Sequence, residues 1–304
     1  MSTEATQPRT EKPRRSYEWL VDAGYRIRVH TAPRPTGTVT RLADSLETMS
    51  AFAGAANVVM QLSDRAVGHG VVESRVHSGA VTEHPIKRAR TTFTYLAVAV
   101  LGSDTDREVY RTAVNRQHRQ VRSTEASPVR YNAFDRNLQL WVAMCLYVGF
   151  EDTHLILRGA MSARQRAVFY SESAPLATTL QVTPDMWPAT VEDFDDLWVA
   201  RVDELTLLDE RLREYLGGII DLSFVPVPRP VARYHRFVTV GMLAPRFRDI
   251  MGLSWSDRDD DRFAALMRAH HLLARAVPGP LRGLGYRALL ADMRLRVRHG
   301  RALV

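Results

Sequence analysis

The side chains best suited to chemistry are few and scattered. His118 lies in VNRQHRQV, and a basic run with two hydroxyls reads Lys87-Arg88-Ala89-Arg90-Thr91-Thr92. Glu151 and His154 form one E-x-x-H, and His270 and His271 are adjacent. A di-iron carboxylate bundle needs two E-x-x-H elements and two further glutamates, and the chain has no second copy. Adjacent helical residues point ~100° apart, so His270 and His271 are poorly placed to share a metal. A lone histidine is too little for a structural zinc site. It is enough for a haem, because the porphyrin supplies four nitrogens and imidazole suits iron. Haem propionates need cations, and the cluster at 87–90 offers them. The plain alternative for His118 is a satisfied core residue, and the residues alone leave both readings open. No P-loop, dinucleotide glycine fingerprint or nucleophile elbow occurs. The acidic runs VEDFDD (191–196) and DRDDDR (257–262) read as helix N-terminal charge and solvated surface.

The elements that must carry these side chains are helices. From Pro85 the chain reads PIKRARTTFTYLAVAVLG, with proline suited to a first helical turn and Gly102 to a helix end. On that helix Arg88 shares a face with Thr92, and Lys87 with Thr91 or Arg90. Asp104 or Thr105 is expected to cap the next helix. Its residues Tyr110, Val114, His118 and Val121 follow i, i+4, i+8, i+11, one stripe that turns the imidazole toward the core. Residues 41–62 read as a helix, DRAVGHGVVESRVHSG (64–79) as a loop, and the stretch after Asp135 through LQLWVAMCLYVGF as a long helix. Further helices are expected over 161–178, from about 191, and near 235–251, 257–276 and 280–298. Prolines 226, 228 and 230 make 225–234 extended. With no repeat and no strand pattern, the expectation is all-α: a disordered tail over 1–15 and a single helical domain over 16–304.

Composition narrows the function classes. The chain has 304 residues, 45% of them hydrophobic, so a sizeable core is within reach. Its net charge is +7 and its pI about 9.8. The basic residues are dispersed among acids, apart from 87–90 and the solvated tail from Arg294 to Arg301, and no nucleic-acid motif appears. The single cysteine, Cys145, lies in an apolar run and reads as a small buried hydrophobe in a reducing compartment. Arg14-Arg15 is followed by a charge-interrupted segment and is not read as an export signal. No run reaches roughly 18 uninterrupted apolar residues. The expected setting is cytoplasmic, with no membrane span, no nucleic-acid partner, and homodimerisation left open.

Several blocks together resemble one family. They are GAANVVMQLSDRAVGHGV (54–71), HPIKRARTTFTYLAVAVLG (84–102), VNRQHRQVRS (114–123), PVRYNAFDRNLQLWVAMCLYVG (128–149) and MWPATVEDFDDLW (186–198). In this order they resemble the latex-clearing proteins (rubber oxygenases) and the MpaB-type oxygenase. The resemblance implies a globin-like helical core binding haem b, with His118 of the H-x-x-V element as proximal iron ligand. The family's R-x-x-R/K-T element falls on Lys87, Arg90 and Thr91. It implies that Lys87 and Arg88 meet the cofactor, and that Arg88, Arg90, Thr91 and Thr92 act on bound oxygen or on a substrate carboxylate. Many relatives carry W-V-H where this chain has Trp141-Val142-Ala143. The implied function is a haem b-dependent oxygenase using O2 or peroxide on a small, partly apolar substrate. A haem carrier or gas sensor without turnover is the alternative, and a nucleic-acid-associated regulator a third reading motivated by the pI.

Overall fold

A computed structural model describes residues 15–29, 40–74, 76 and 82–304. Among these residues the secondary structure is helical, with one isolated antiparallel bridge between Arg122 and Asn132. The helices are α1 (Tyr17–Asp22), α2 (Gly54–Leu62), α3 (Arg65–Val72), α4 (Pro85–Leu101), α5 (Asp104–His118), α6 (Arg136–Arg158), α7 (Ala163–Ser171) and α8 (Pro175–Thr178). They continue as α9 (Val191–Asp203), α10 (Glu210–Asp221), α11 (Arg229–Gly241), α12 (Pro245–Met251), α13 (Asp257–Ala276), α14 (Gly279–Arg282) and α15 (Leu284–Arg298). The fold is all-α, as expected. The expected tail over 1–15 lies outside the described residues except for Arg15.

Helix α6 is the axle. Asp135 caps it by accepting hydrogen bonds from Asn137 N (2.8 Å) and Leu138 N (3.3 Å), and Gly159 at φ 96° ends it. Helices α2, α8 and α13 pack around it. Trp141 stacks on Trp198 with centroids 5.3 Å apart and lies 6.3 Å from Phe247. By length and composition α6 could cross a membrane, yet 83% of its apolar window is covered inside the protein, as in a core helix. Cys145 is fully buried there, and burial pushes its thiol well above the ordinary range, in keeping with an inert small hydrophobe.

Beside the aromatic core lies a buried charge network. Arg26 reaches Glu151 at 2.7 Å and Asp152 at 2.5 Å. Arg166 reaches Glu151 at 2.5 Å and grips Asp195 with two nitrogens at 2.6 and 2.8 Å. The Tyr17 ring lies under both guanidinium groups, at 5.1 and 5.4 Å. Burial opposes ionisation of Glu151, but Arg166 and Arg26 outweigh it and hold the carboxyl at about 2. Glu151 of the lone E-x-x-H is therefore a structural anchor.

Four local expectations need correction. Residues 64–79 do not begin as a loop: Asp64 accepts from Ala66 N and Val67 N and starts α3. Gly68 serves close packing there, since a Cβ would lie 2.6 Å from Leu62 O. Residues 41–62 are not one helix but two 3-10 turns, Leu42–Ser45 and Thr48–Ala53, followed by α2. Glu47, between the turns, pairs with Arg158 in the interior. Ser103, not Asp104 or Thr105, caps α5, and Asp106 closes a capping box. Finally, 225–234 is extended only up to Pro228. Helix α11 starts at Arg229, because Pro230 in a first turn forfeits no helical hydrogen bond.

Candidate active site

Helix α5 positions His118. Along the expected stripe Tyr110 is fully buried, Val114 packs against the core edge, and His118 and Val121 are half-buried. The Tyr110 hydroxyl donates to Thr91 O at 2.8 Å and ties α5 to α4. His118 meets Phe134 edge-on, with centroids 6.1 Å apart. Its ring has no hydrogen-bond partner among the described residues, and Nδ1 is shielded from solvent. Burial, reinforced by the Arg88 charge, pushes the imidazole down to about 4. The ring is thus neutral at physiological pH, the state in which imidazole binds a metal.

Helix α4 presents two faces. Arg90 and Phe93 turn to the C-terminal helix α15, where Arg90 Nη1 lies 3.4 Å from Asp292 Oδ2 and Phe93 packs edge-on against Tyr286. Arg88 is two residues from Arg90, about 200° around the helix, and points the other way. Its charge is felt by His118, Tyr110 and Tyr215. Arg88 is exposed, and the loss of solvent around its guanidinium lowers its pKa against the pull of Tyr215 and Tyr110. Among the described residues no carboxylate pairs with it.

Helix α10, which the sequence reading missed, carries Tyr215, whose hydroxyl feels the Arg88 charge. Asp209 caps it through a bond from Leu212 N (3.1 Å). Tyr215 is half-buried, and its hydroxyl has no hydrogen-bond partner among the described residues. One turn on, on the same flank, Gly218 is half-buried, but a Cβ there would meet nothing within 4 Å. A glycine inside a helix costs about 1 kcal/mol relative to alanine, so REYLGGIID carried a signal: a helical pattern with an unexplained glycine pair. Helix α10 packs on α2, α3 and α11, whereas α4 packs on α5, α8 and α15. Arg88 is near enough to His118 of α5 and Tyr215 of α10 for its charge to act on both.

Among the remaining expected site residues no hydroxyl is free. Thr91 Oγ1 donates to Lys87 O (2.9 Å) and Thr92 Oγ1 to Arg88 O (3.1 Å), so both hydroxyls bond back to their own helix. Lys87 is half-buried in the first turn of α4. Ala143 is buried on α6. Just beyond His118, Gln120, Val121, Tyr131 and Arg211 line a cavity of about 270 Å³ that also includes Glu73. Glu73 accepts from Ser127 (2.7 Å), Tyr131 (2.8 Å) and Arg211 (3.1 Å). Among the described residues no three His, Cys, Asp or Glu side chains gather as a metal-binding group. A porphyrin would not need them.

Among the described residues the fold is all-helical, and a neutral imidazole on α5 lies within electrostatic reach of an α4 arginine that pairs with no carboxylate. Residues 43–272 match the catalytic domain described as ER-bound oxygenase mpaB/B'/Rubber oxygenase, and the chain belongs to that family of oxygenases. It is also similar to the uncharacterized protein Rv2237 of Mycobacterium tuberculosis and the uncharacterized protein Mb2261 of Mycobacterium bovis. Each is 48% identical over 252 residues, which cover 82% of this chain and 98% of the relative. No solved structure matches the chain.

Proposed function

We propose that this protein is a haem b-dependent oxygenase of the cytoplasm that acts on a small, partly apolar organic substrate, with His118 as the proximal ligand. The observation that carries the reading is the imidazole of His118: neutral, without a hydrogen-bond partner, and set on the open inner face of α5 within the family-matched region. Haem, when bound, supplies the iron centre at which O2 or peroxide is activated. His118 would hold that iron from one side. Gly218 leaves the α10 backbone bare, so a flat group can lie close to it. On this reading α4, α5 and α10 border the haem slot, and Lys87 and Arg88 supply positive charge there. Phe134 and Val114 give the apolar lining that excludes water around the ring.

Of the four residues proposed to act on oxygen or substrate, Arg88 is the one whose side chain has no partner among the described residues. Thr91 and Thr92 stiffen the helix that presents it, and Arg90 anchors that helix to α15. The test is spectroscopic and then chemical. Protein supplied with haem should show a Soret band that His118→Ala removes or shifts, and should consume oxygen with turnover of a small apolar substrate. The reading is overturned if no Soret band forms or if His118→Ala leaves it unchanged.

A further inference from the structure

Helix α15 is apolar on two sides. Its inner face, Tyr286, Leu290 and Met293, is buried where the helix packs on α4, and Tyr286 meets Phe93 edge-on. Its outer face carries Leu284, Ala288, Ala291 and Leu295, all exposed, at i, i+4, i+7 and i+11. Leu284 keeps 55% of its surface in solvent and Leu295 50%. Leu281 of α14, three residues before Leu284, is exposed as well. Arg287, Arg294 and Arg298, also exposed, run along one edge of the apolar line at i, i+7 and i+11. A helix face left to water normally mixes charges of both signs. This one presents no acid: Asp292, the one carboxylate of α15, lies to the side and meets Arg296 and Arg90. Arg294 is engaged by Asp106 of α5 and Arg287 donates to Pro280 O, whereas Arg298 has no partner among the described residues.

The imbalance extends along the C-terminal stretch. Residues 263–304 hold eight arginines against the single acid Asp292, so they carry +7, the whole net charge of the chain, and residues 1–262 balance to zero.

We infer that the outer face of α15, with Leu281, docks flat on an anionic lipid surface, leucines into the boundary of the acyl chains and arginines on the acidic headgroups. An amphipathic helix with an apolar line and an arginine edge binds such an interface by burying the first and neutralising charge with the second. Arginine suits the edge because its stem lies along the apolar layer while the guanidinium stays with the headgroups. A second copy of the chain fits this face badly. A two-fold contact would lay the face against itself, arginine near arginine, with no acid on it to pair them. Nucleic acid would use the arginines and leave the leucines uncovered. The docking stands on α14 and α15 and is independent of what His118 binds.

The test uses the full chain and vesicles of phosphatidylcholine, alone or with about 30% phosphatidylserine, read by co-sedimentation. Wild type should bind the mixed vesicles about tenfold or more tightly than the neutral ones, and lose most of that preference in about 0.5 M salt. Leu284→Gln with Leu295→Gln should weaken binding to mixed vesicles by about tenfold or more. Arg287→Gln with Arg298→Gln should weaken it about 30-fold, or roughly fivefold per arginine. All four positions are exposed, and unchanged circular dichroism of each variant excludes misfolding as the cause. Equal binding of wild type to both vesicles overturns the inference without any variant, as does a leucine pair that binds like wild type. Sedimentation velocity and a DNA duplex cover the rival occupants. A dimer that the leucine pair dissolves, with no vesicle binding, would make the face a subunit interface and overturn the inference. Duplex binding tighter than vesicle binding and indifferent to the leucine pair would overturn it equally.

Discussion

Gly218 offers the sharpest perturbation of the slot, because the structure makes opposite predictions for the empty and the filled protein. A Cβ at this position meets nothing within 4 Å. Gly218→Ala should therefore recover the helix propensity that glycine forfeits, about 0.8–1 kcal/mol, at no steric cost. Unfolding entropy scales at roughly 2.1 cal/mol/K per residue. For a 304-residue chain this converts to a rise in melting temperature of about 1.5 °C, readable by scanning calorimetry without ligand. Gly218→Phe keeps a comparable helix and places a ring in the slot, on the flank shared with Tyr215. Soret titration should then show haem affinity at least tenfold weaker, while Gly218→Ala loses less. A melting temperature that falls in Gly218→Ala would mean that the flank is already occupied by protein. Wild-type haem affinity in Gly218→Phe would mean that the slot lies elsewhere. Either result refutes the assignment of α10 as a wall.

Three further expectations follow from the charges. The folded His118 has a pKa near 4, below its ordinary 6.5. The unfolded chain therefore takes up the proton first, and the stability contributed by the neutral ring is full above about pH 6.5 and lost as pH falls from there toward 4. Haem retention followed at the Soret band should accordingly persist from pH 7 to about pH 5 and fail near pH 4, whereas loss centred at 6.5 would contradict the burial of the ring. Arg88→Gln removes the second cause of that depression, so the His118 pKa, read by NMR titration of its imidazole, should move upward; an unchanged value would separate the two residues. Arg26→Met leaves Glu151 and Asp152 short of a buried counter-charge and should cost about 3–5 kcal/mol in denaturant unfolding, while an isotherm within 1 kcal/mol of wild type would show that the network does not hold the fold.

Much of the site's near side was legible in the residues. Pro85 and Gly102 bracket α4 as expected, and the Tyr110–Val114–His118 stripe does face inward. Those signals are local: a ring that fixes φ, a helix stop, and a 3.6-residue period. Tyr215 and Gly218 escaped because α10 meets α4 and α5 only across the slot, about a hundred residues along the chain, and no local pattern encodes that. The separation of Arg88 from Arg90 was half legible. Periodicity placed them on different faces, but only the docking of α15, with Asp292 202 residues beyond Arg90, decides which face is closed. The prolines of 226–230 misled for a different reason: one proline before a helix and one in its first turn are compatible with helix, and spacing alone does not say where the helix begins. The charge network was invisible, since Arg26, Glu151, Asp152, Arg166 and Asp195 come from four segments that only tertiary packing assembles.

The helices α5 and α6 are packed to different degrees. In α6, 17 of 23 residues are buried, and neighbouring side chains satisfy its charges and stack on its tryptophan. In α5, Tyr110 is the one fully buried residue of 15, and Val114 and His118 of the same stripe are half-buried. A helix with so little of its face covered draws little stability from packing, and isolated helices of this length are marginal in water. Helix α5 is held instead by its capping box, by the Tyr110–Thr91 bond, and by Arg294 of α15, which grips Asp106 at 2.7 Å and is the largest cause holding that carboxyl near 2. These are anchors at one end and the middle. Toward the His118 end, Arg111 donates to Thr178 O and Thr179 O, and Asn115 Oδ1 accepts from Gln181 Nε2 at 2.8 Å. A ligand filling the proposed slot would supply core against the half-buried stripe and a counter-charge to Arg88. Its binding energy would add directly to folding stability, by about 2.7 kcal/mol at a hundredfold excess over Kd. On the reading proposed above, the imidazole of α5, the guanidinium of α4 and the bare glycine of α10 would meet one bound group.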